Sequence, residues 1–514
     1  MMGRVCDRGR SGPGSRTANA MLPRDHLLRR VDRLLHFGEL RAALAGHYSA
    51  RGRPSIDPEL LIRMALIGRL YAITSERRLC EELRYNLAYR WFCRLPSDAA
   101  VPHHSTFSKN RHGRFREAGV FRLLFETTVR RCIAEGLVAA KDAAIDASFV
   151  AADASWQRKM RDADLAKATH CPLTPRPVRE WLADQALTPE PCLGKRSVPV
   201  ALSRTDPAAA WSARMARGRF GYAVNLMMDA PSGVTIEVEA TPARFAAEVD
   251  AARAMLIRAA DRFGYRPKRV AADTAYGSAA FLAFVRDHGG TAHIPVIERS
   301  EQINGKLPRQ AFAFDAERDC YTCPAGKTLA HRGFERHLGL HRYAARPADC
   351  GACAIRPTCT DGQYRAVMRM ENEDARDLAR SEMQTGLFKR SMRLRRGIER
   401  LFADAKGKRG LTRLHLRGLR GAEEEFLLAA SVLNLTLLAR PQAEPPQRRR
   451  SSRAPFRPST MTNVSRRGSN TPAQLLVAEV VTSATVMACS PLQACACRKS
   501  RLRKSAVSMQ ICDT

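Results

Sequence analysis

The hydrophobic pattern of this 514-residue chain changes period near residue 140, and that change limits the folds open to it. Before it, apolar residues recur every three or four positions, the spacing of one helix face. Residues 22–45 carry Leu27, Leu28, Val31, Leu34 and Leu35 on one stripe and predict a first helix. Asp57-Pro58 opens a second, with Asp as N-cap and Pro at the first helical position. Its residues Leu60, Leu61, Met64, Leu66, Ile67 and Leu70 are expected to face inward. Ser75 is expected to cap a third helix carrying Leu79, Leu83, Leu87 and Trp91. Beyond the break at Pro96–Pro102, Ser105 is expected to cap a fourth, with Lys109, Arg111, His112, Arg114 and Arg116. A helical unit that ends in a basic helix suits docking on DNA. A solvated basic face on an ordinary bundle is the equal alternative.

After residue 140 short apolar runs take over. Ala143–Val150 reads as a strand, and residues 172–207 as a Pro-rich loop. Phe220–Ala230 and Gly233–Ala240 read as a hairpin turning through Pro231-Ser232-Gly233. Ala246–Phe263 is an Ala-rich helix with Gly264 placed to end it. Lys268–Ala272 is a strand ending at Asp273, followed by a helix at Ala279–His288 and a strand at Thr291–Ile297. This order predicts an α/β fold whose sheet mixes antiparallel and parallel pairs. A Cys-rich segment spans 300–370, a long basic helix 374–408 and a very apolar helix Glu423–Ala439. No internal repeat is visible. Residues 1–20 and 441–514 are expected to be disordered, from their Arg, Ser, Gly and Pro content.

Charge narrows the partner. Lys and Arg total 85 against 51 Asp and Glu, a net +34. Residues 1–20 carry +3 of this and 441–514 carry +9, so 21–440 keep +22. A folded body so basic repels itself unless it faces a polyanion, and DNA phosphates supply affinity of that kind. A membrane is not expected: the longest apolar run, Leu475–Cys489, is too short to span and contains Glu479. The N-terminus has no apolar export segment, so the 15 cysteines are not expected to form a disulfide scaffold.

Two carboxylates follow small apolar runs, Asp146 in Ala-Ile-Asp-Ala-Ser and Asp273 in Val-Ala-Ala-Asp-Thr-Ala-Tyr-Gly. One such Asp is commonly a helix cap. Two on separate strands of so basic a chain favour a hard cation, because an uncompensated charge there is costly. A third acid, Glu399, lies beside the stripe of Ile398, Leu401, Phe402 and Ala405. Arg395, one turn before it, and Lys406, two turns after, share its face and could hold phosphates. Simple i,i+4 pairing would give the same spacing.

These residues resemble the three stations of the DDE transposases of bacterial insertion sequences: Ile-Asp-Ala-Ser at Asp146, Ala-Asp-Thr-Ala-Tyr-Gly at Asp273, and Arg395-x3-Glu399-x6-Lys406. Ser203-Arg204-Thr205-Asp206-Pro207, Gly221-Tyr222-Ala223-Val224-Asn225 and the helical region 53–116 add to the likeness, which spans about 25–440. It implies a ribonuclease-H-like mixed sheet with flanking helices, after an all-α DNA-binding domain, interrupted by a Cys-rich insertion. The expected divisions are 1–21, a disordered N-terminus; 22–135, DNA binding; and 140–300, the first catalytic part. The insertion then takes 301–370, the helical part with Glu399 371–440, and a basic tail 441–514.

The implied chemistry uses two Mg²⁺ ions, with Mn²⁺ able to substitute. Asp146 bridges them, while Asp273 and Glu399 each hold one. Water cuts the element's end, and the freed 3′-hydroxyl joins target DNA. No ATP is required, and no phosphate-binding loop is present. Double-stranded DNA, both terminal repeats and target, is the implied partner, with Lys109, Arg111, Arg114, Arg395 and Lys406 as its contacts. Synapsis implies at least a homodimer, in a bacterial cytoplasm at the nucleoid. The sequence departs from the pattern at Met392, where an aromatic usually stands three residues before the Arg. An inactive DNA-binding descendant, or a zinc-stapled regulator, is the alternative.

Within the Cys-rich segment, Cys320-x2-Cys323 and Cys350-x2-Cys353 have the knuckle spacing of tetrahedral Zn²⁺. Cys359 is a fifth thiol, and His331, His337 and His341 are spare ligands. Reduced structural thiols are the alternative. Cys489, Cys495, Cys497 and Cys512 are read as incidental.

Overall fold

The computed structural model describes residues 1–3, 19–96, 98–161, 173–187, 201–212, 218–243, 245–297, 305–337 and 339–440. The expectations for 441–514, for Leu475–Cys489 and for most of 1–20 therefore lie outside the described residues. Asn19–Met21 already form a helical turn, so the N-terminal disorder expected through residue 21 does not reach that far.

The first part is helical: α1 (Leu27–Leu34), α2 (Gly38–Ala45), α3 (Pro58–Leu70), α4 (Glu76–Tyr85), α5 (Leu87–Phe92), α6 (His104–Asn110) and α7 (Val120–Ala134). The Asp57 cap is present, its Oδ1 accepting the Glu59 N–H at 2.8 Å. Three expectations need correction. The helix drawn over 22–45 breaks at Leu35, whose backbone is extended, and Phe37 then turns into the core. The third helix breaks at Asn86, whose side chain takes the N–H groups of Ala88 and Tyr89 at 3.0 and 3.1 Å. An amide that captures backbone donors in this way competes with the helix, and Leu87 ends up exposed. The fourth helix is capped by the His103 ring rather than Ser105. It also passes at Arg111–Phe115 into a π-helical segment with Gly113 kinked.

The central sheet contains β1 (Asp142–Ala151), β4 (Ala210–Ser212), β5 (Arg219–Asp229), β6 (Val234–Pro242), β7 (Arg269–Ala271) and β8 (Thr291–His293). A separate small ladder joins β2 (Lys159–Arg161) to β3 (Ala201–Ser203). Helix α8 (Arg176–Leu187) precedes β3, so the predicted loop over 172–207 contains a helix and a short strand. β1 is antiparallel to β5 from Ala143↔Asp229 to Ala151↔Gly221, and β5 is antiparallel to β6. On its other edge β1 runs parallel to β7, and β7 parallel to β8. The parallel steps are bridged by α9 (Phe245–Phe263) and α10 (Ala279–Asp287), as same-direction neighbours require. The predicted mixture of pairings is thus present.

A second, antiparallel sheet runs β13-β12-β11-β10-β9: β9 (Ala313–Asp315), β10 (Cys320–Thr322), β11 (Thr328–Glu335), β12 (Leu340–Ala344) and β13 (Ala366–Met370). It has its own small core around Tyr321, Leu329, Tyr343 and Val367. Short helices α11 (Pro347–Gly351) and α12 (Arg356–Cys359) join β12 to β13. The long basic helix is two, α13 (Glu373–Met383) and α14 (Gly386–Gly407), because Thr385 caps the second through its Oγ1 to Phe388 N–H. Finally α15 (Gly418–Leu438) is buried on nearly every side and packs against α7, α3 and β6. Asn434 binds both backbone groups of Thr235 at 2.8 and 2.9 Å. Among the described residues no helix is long and apolar enough to cross a membrane.

Candidate active site

Strand register brings the first two acids together. β1 and β7 pair in parallel up to Ala144↔Ala271. Asp146 and Asp273 each lie two residues further on, Asp146 still within β1 and Asp273 just past the end of β7, so the parallel register carries both acids towards the same end of the sheet. β7 ends just before Asp273, whose Oδ1 accepts the Ala275 N–H at 2.9 Å and starts a 3₁₀ turn at Thr274–Tyr276. That turn needs Gly277: a Cβ there would meet the Pro295 carbonyl oxygen at 2.1 Å.

The third acid comes from α14, which packs on β1, β7 and β8. Ile398 and Phe402 are its buried anchors, and Gly397 lets it close to within 2.9 Å of the Met228 methyl at the Cβ position. Its first half is tied to the sheet by a buried chain that the sequence reading missed. His293 Nδ1 lies 2.8 Å from Ser391 Oγ, which donates to Asp142 Oδ1 at 3.2 Å. Arg269 braces the same Asp142.

On this frame Arg395 Nη1 reaches Asp146 Oδ2 at 2.9 Å and Nη2 reaches Glu399 Oε1 at 3.5 Å. Glu399 is the exposed member, its side chain 59% accessible, against 17% for Asp146. Lys406 Nζ donates to Ser148 Oγ at 2.7 Å, so it faces the same strand. Burial lowers its pKa.

Electrostatics mark the pocket as short of positive charge. Burial raises the Asp146 pKa above the ordinary carboxylate value. The Ala147 N–H and Arg395 pull it down, while the charges of Asp273 and Glu399 push it further up. Asp273 and Glu399 are therefore each close enough to act on Asp146. Tyr276 is held well above the normal phenol range by burial and by Asp146, Glu248 and Asp273. Glu248, buried on the first turn of α9, is a fourth acid near the site. No sequence motif pointed to it. Among the described residues, no three His, Cys, Asp or Glu side chains already converge closely enough to hold a metal ion.

The expected DNA contacts of the helical part divide. Lys109 is exposed. Arg114 stacks on the Tyr48 ring at 4.4 Å and stays half-buried. Arg111 is corrected: it is buried, 3.8 Å from Glu76 and within the field of Glu425. It serves the interior and cannot reach a phosphate. Arg116 is likewise engaged, by Glu424.

The cysteines also divide. Residues 320 and 323 lie three apart along an extended strand and its end, so their side chains take opposite faces. Cys323 joins the second sheet's core with Cys350 and Cys359. Cys320, although buried, is not among them. The expected set Cys320, Cys323, Cys350 and Cys353 is therefore not gathered. A cavity of about 20 Å³ is lined instead by Cys323, Cys350, Cys353 and Cys359.

A cleft of about 750 Å³ lies away from the carboxylates. It lies beside Arg116, Trp181, Thr205, Asp206, Arg417 and Arg420. Asp206 is fully buried and accepts the Tyr222 hydroxyl at 2.6 Å and the Gly418 N–H at 3.2 Å. Ser203–Pro207 and Gly221–Asn225, distant in sequence, meet through this bond.

Two family models match the chain. Residues 16–113 match the family described as a transposase domain (DUF772), and residues 196–435 match the family described as a transposase DDE domain. No curated protein matches the chain. Among solved structures, a piggyBac transposase synaptic complex with hairpin DNA aligns over 79% of this chain and 74% of that one, at 9% identity and a TM-score of 0.32. A likeness that slight carries no argument here.

Proposed function

Because the chain belongs to the DDE transposases of the insertion-sequence type, we propose that it binds the ends of a mobile element and catalyses divalent-metal-dependent DNA cleavage and strand transfer, with Asp146, Asp273 and Glu399 as its metal-holding acids. The observation that carries this reading is that Arg395 bridges Asp146 of β1 and Glu399 of α14, with Asp273, just past the end of β7, near enough to act electrostatically on Asp146. A ribonuclease-H-like core is supported by the sheet order β6-β5-β1-β7-β8, antiparallel in its first three strands and parallel in its last. Residues 305–370, with their own sheet and core, then stand as an insertion ahead of the Glu399 station.

The donor set fits Mg²⁺ or Mn²⁺. All three ligands are hard carboxylate oxygens, and the Asp146 pKa is raised by burial first and then by the charges of Asp273 and Glu399. Bound there, such ions activate water and stabilise the leaving oxygen of an in-line displacement. The chain's own groups do the rest. Arg395 presents a fork of N–H donors suited to a non-bridging phosphate oxygen. Lys406, half-buried on Ser148, adds a fixed positive charge further along the same helix. The Asp142–Ser391–His293 chain keeps α14 against the sheet, so that Glu399 and the two aspartates hold their relation while DNA is handled. Lys109 and Arg114 on the helical part are the proposed end-binding contacts, and synapsis of two ends calls for at least a dimer.

The test is a cleavage and strand-transfer assay on labelled element ends with Mg²⁺. Asp146→Asn is expected to abolish cleavage while a salt-sensitive gel shift survives. Undiminished cleavage by that variant sinks the assignment. Binding without cleavage by the unaltered chain would leave only a DNA-binding role.

A further inference from the structure

We propose that the second sheet is closed by a structural zinc ion held by Cys323, Cys350, Cys353 and Cys359, with Cys320 taking no part. These four cysteines line one small cavity at the base of the β9–β13 sheet, and they come from separate pieces of chain. Cys323 follows β10, Cys350 lies in α11, Cys353 in the link between the short helices, and Cys359 ends α12. All are free thiols. Three of them, Cys323, Cys350 and Cys353, lie near enough to act electrostatically on Cys359.

The local backbone at Cys323 has the features of a thiolate cradle. The turn Cys323-Pro324-Ala325-Gly326-Lys327 closes with Gly326 at φ +73° and with Gly326 N–H on the Cys323 carbonyl at 2.8 Å. The Lys327 N–H then points at Cys323 Sγ, 3.3 Å away. A backbone donor aimed at sulfur stabilises a thiolate and orients it as a ligand. The same cavity is lined by Lys327, Arg356 and Arg365. Four thiolates around one Zn²⁺ leave a net charge of −2, which these cations offset. Sulfur donors in fourfold number select Zn²⁺ over the hard cations suited to the carboxylate site.

There is also a structural need. Among the described residues the second sheet's core has seven buried members, one of them Cys359, and β12 returns to β13 through two helices of five and four residues. So little apolar area is commonly supplemented by a metal or a disulfide. As they stand, the sulfurs line the cavity without closing on a common point. Binding would draw them together and fix α11 and α12 against the sheet.

The experiment uses the full chain, purified without chelator, assayed for zinc by atomic emission and then reloaded with Co²⁺. The expected result is one zinc per chain and a Co²⁺ spectrum with strong thiolate charge-transfer bands and tetrahedral d–d bands. Cys320→Ala should leave both unchanged. Cys359→Ala should lower zinc affinity by at least about tenfold. Cys359→His, which keeps a ligand and guards against simple misfolding, should retain the ion with charge-transfer intensity reduced by about a quarter. An unaltered chain that binds neither zinc nor Co²⁺ overturns the proposal. So does loss of the ion in Cys320→Ala with its retention in Cys359→Ala.

Discussion

Arg395 Nη1 lies 2.9 Å from Asp146 Oδ2 while Nη2 of the same guanidinium lies 3.5 Å from Glu399 Oε1. One cation thus stands between two acids delivered by a strand and a helix, and it partly offsets their repulsion. If the acids hold metal and the arginine holds phosphate, the two roles compete for the same carboxylates until DNA arrives. Arg395→Ala should therefore bind Mn²⁺ several-fold more tightly without DNA, yet cleave about 100-fold more slowly, the size of effect seen when one preorganised charge donor is lost. Calorimetric Mn²⁺ titration and single-turnover cleavage read the two effects. An Arg395→Ala protein with unaltered Mn²⁺ affinity would show that the guanidinium and the metal do not share a site.

Asp146 carries a stability prediction with a definite sign. Its folded pKa is raised, first by burial and then by Asp273 and Glu399. A carboxyl of that kind adds stability below its unfolded pKa, about 3.9, and that contribution is lost as pH rises through the folded value. At neutral pH the ionised side chain is thus a cost. Asp146→Asn is expected to melt no lower than the unaltered chain at neutral pH without divalent metal, although it cleaves nothing. Mn²⁺ binding by the unaltered chain should weaken as pH falls through that same raised pKa. Thermal melts and metal titrations between about pH 3 and 8, which brackets the ordinary Asp value of about 3.9, read both. A clear drop in melting temperature for Asp146→Asn would mean that its bond to Arg395 outweighs the burial cost.

The parts of this fold legible in the sequence were those governed by local periodicity. The short apolar run around Asp146, the hairpin at Pro231–Gly233 and the stripe beside Glu399 all became the expected elements. What escaped was set by side chains acting across distance or against the backbone. Asn86 and Thr385 split helices because their side chains captured N–H groups. Arg111 looked like a surface contact because its partners, Glu76 and Glu425, lie in other elements. Cys320 fitted a knuckle by spacing, yet Cys320–Thr322 is a strand, which sends Cys320 and Cys323 to opposite faces. Glu248 gave no signal, since only the packing of α9 brings it near Tyr276.

Two glycines near the site make a contrasting pair. At Gly277 an added methyl meets the Pro295 carbonyl oxygen, a backbone atom, at 2.1 Å. At Gly397 it meets only the flexible end of Met228, at 2.9 Å. Gly277→Ala should therefore cost about 1–3 kcal/mol of stability through forced backbone movement, and it should slow cleavage by shifting the turn that starts at Asp273. Gly397→Ala should be near neutral, because the roughly 1 kcal/mol gained from helix propensity offsets a small shift of Met228. Denaturation midpoints and cleavage rates of both variants decide this. Equal losses in the two would show that the close approach of Gly277 to Pro295 has no special weight.

The joint between the helical part and α15 makes the last prediction. Glu425 is 1% exposed. Its Oε2 pairs with Arg69 Nη2 at 2.8 Å, and its Oε1 accepts the N–H groups of His415 and Leu416 at 2.7 Å. Burial alone would raise its pKa, but Arg69, Arg111 and the two amides overcome that and lower it. A depressed carboxyl contributes stability that is present above its unfolded pKa and lost as pH falls through the folded one. Glu425→Gln keeps the shape and leaves Arg69 without its carboxylate partner, while Arg111 keeps Glu76 at 3.8 Å, a loss of about 3–5 kcal/mol for a buried pair broken on one side. The gap between the two proteins should hold steady from neutral pH down to the ordinary carboxylate range and narrow only below it, where the unaltered chain protonates too. Urea midpoints across that range measure the gap. A constant difference at every acid pH would mean that Glu425 acts by shape and hydrogen bonding, not through its charge.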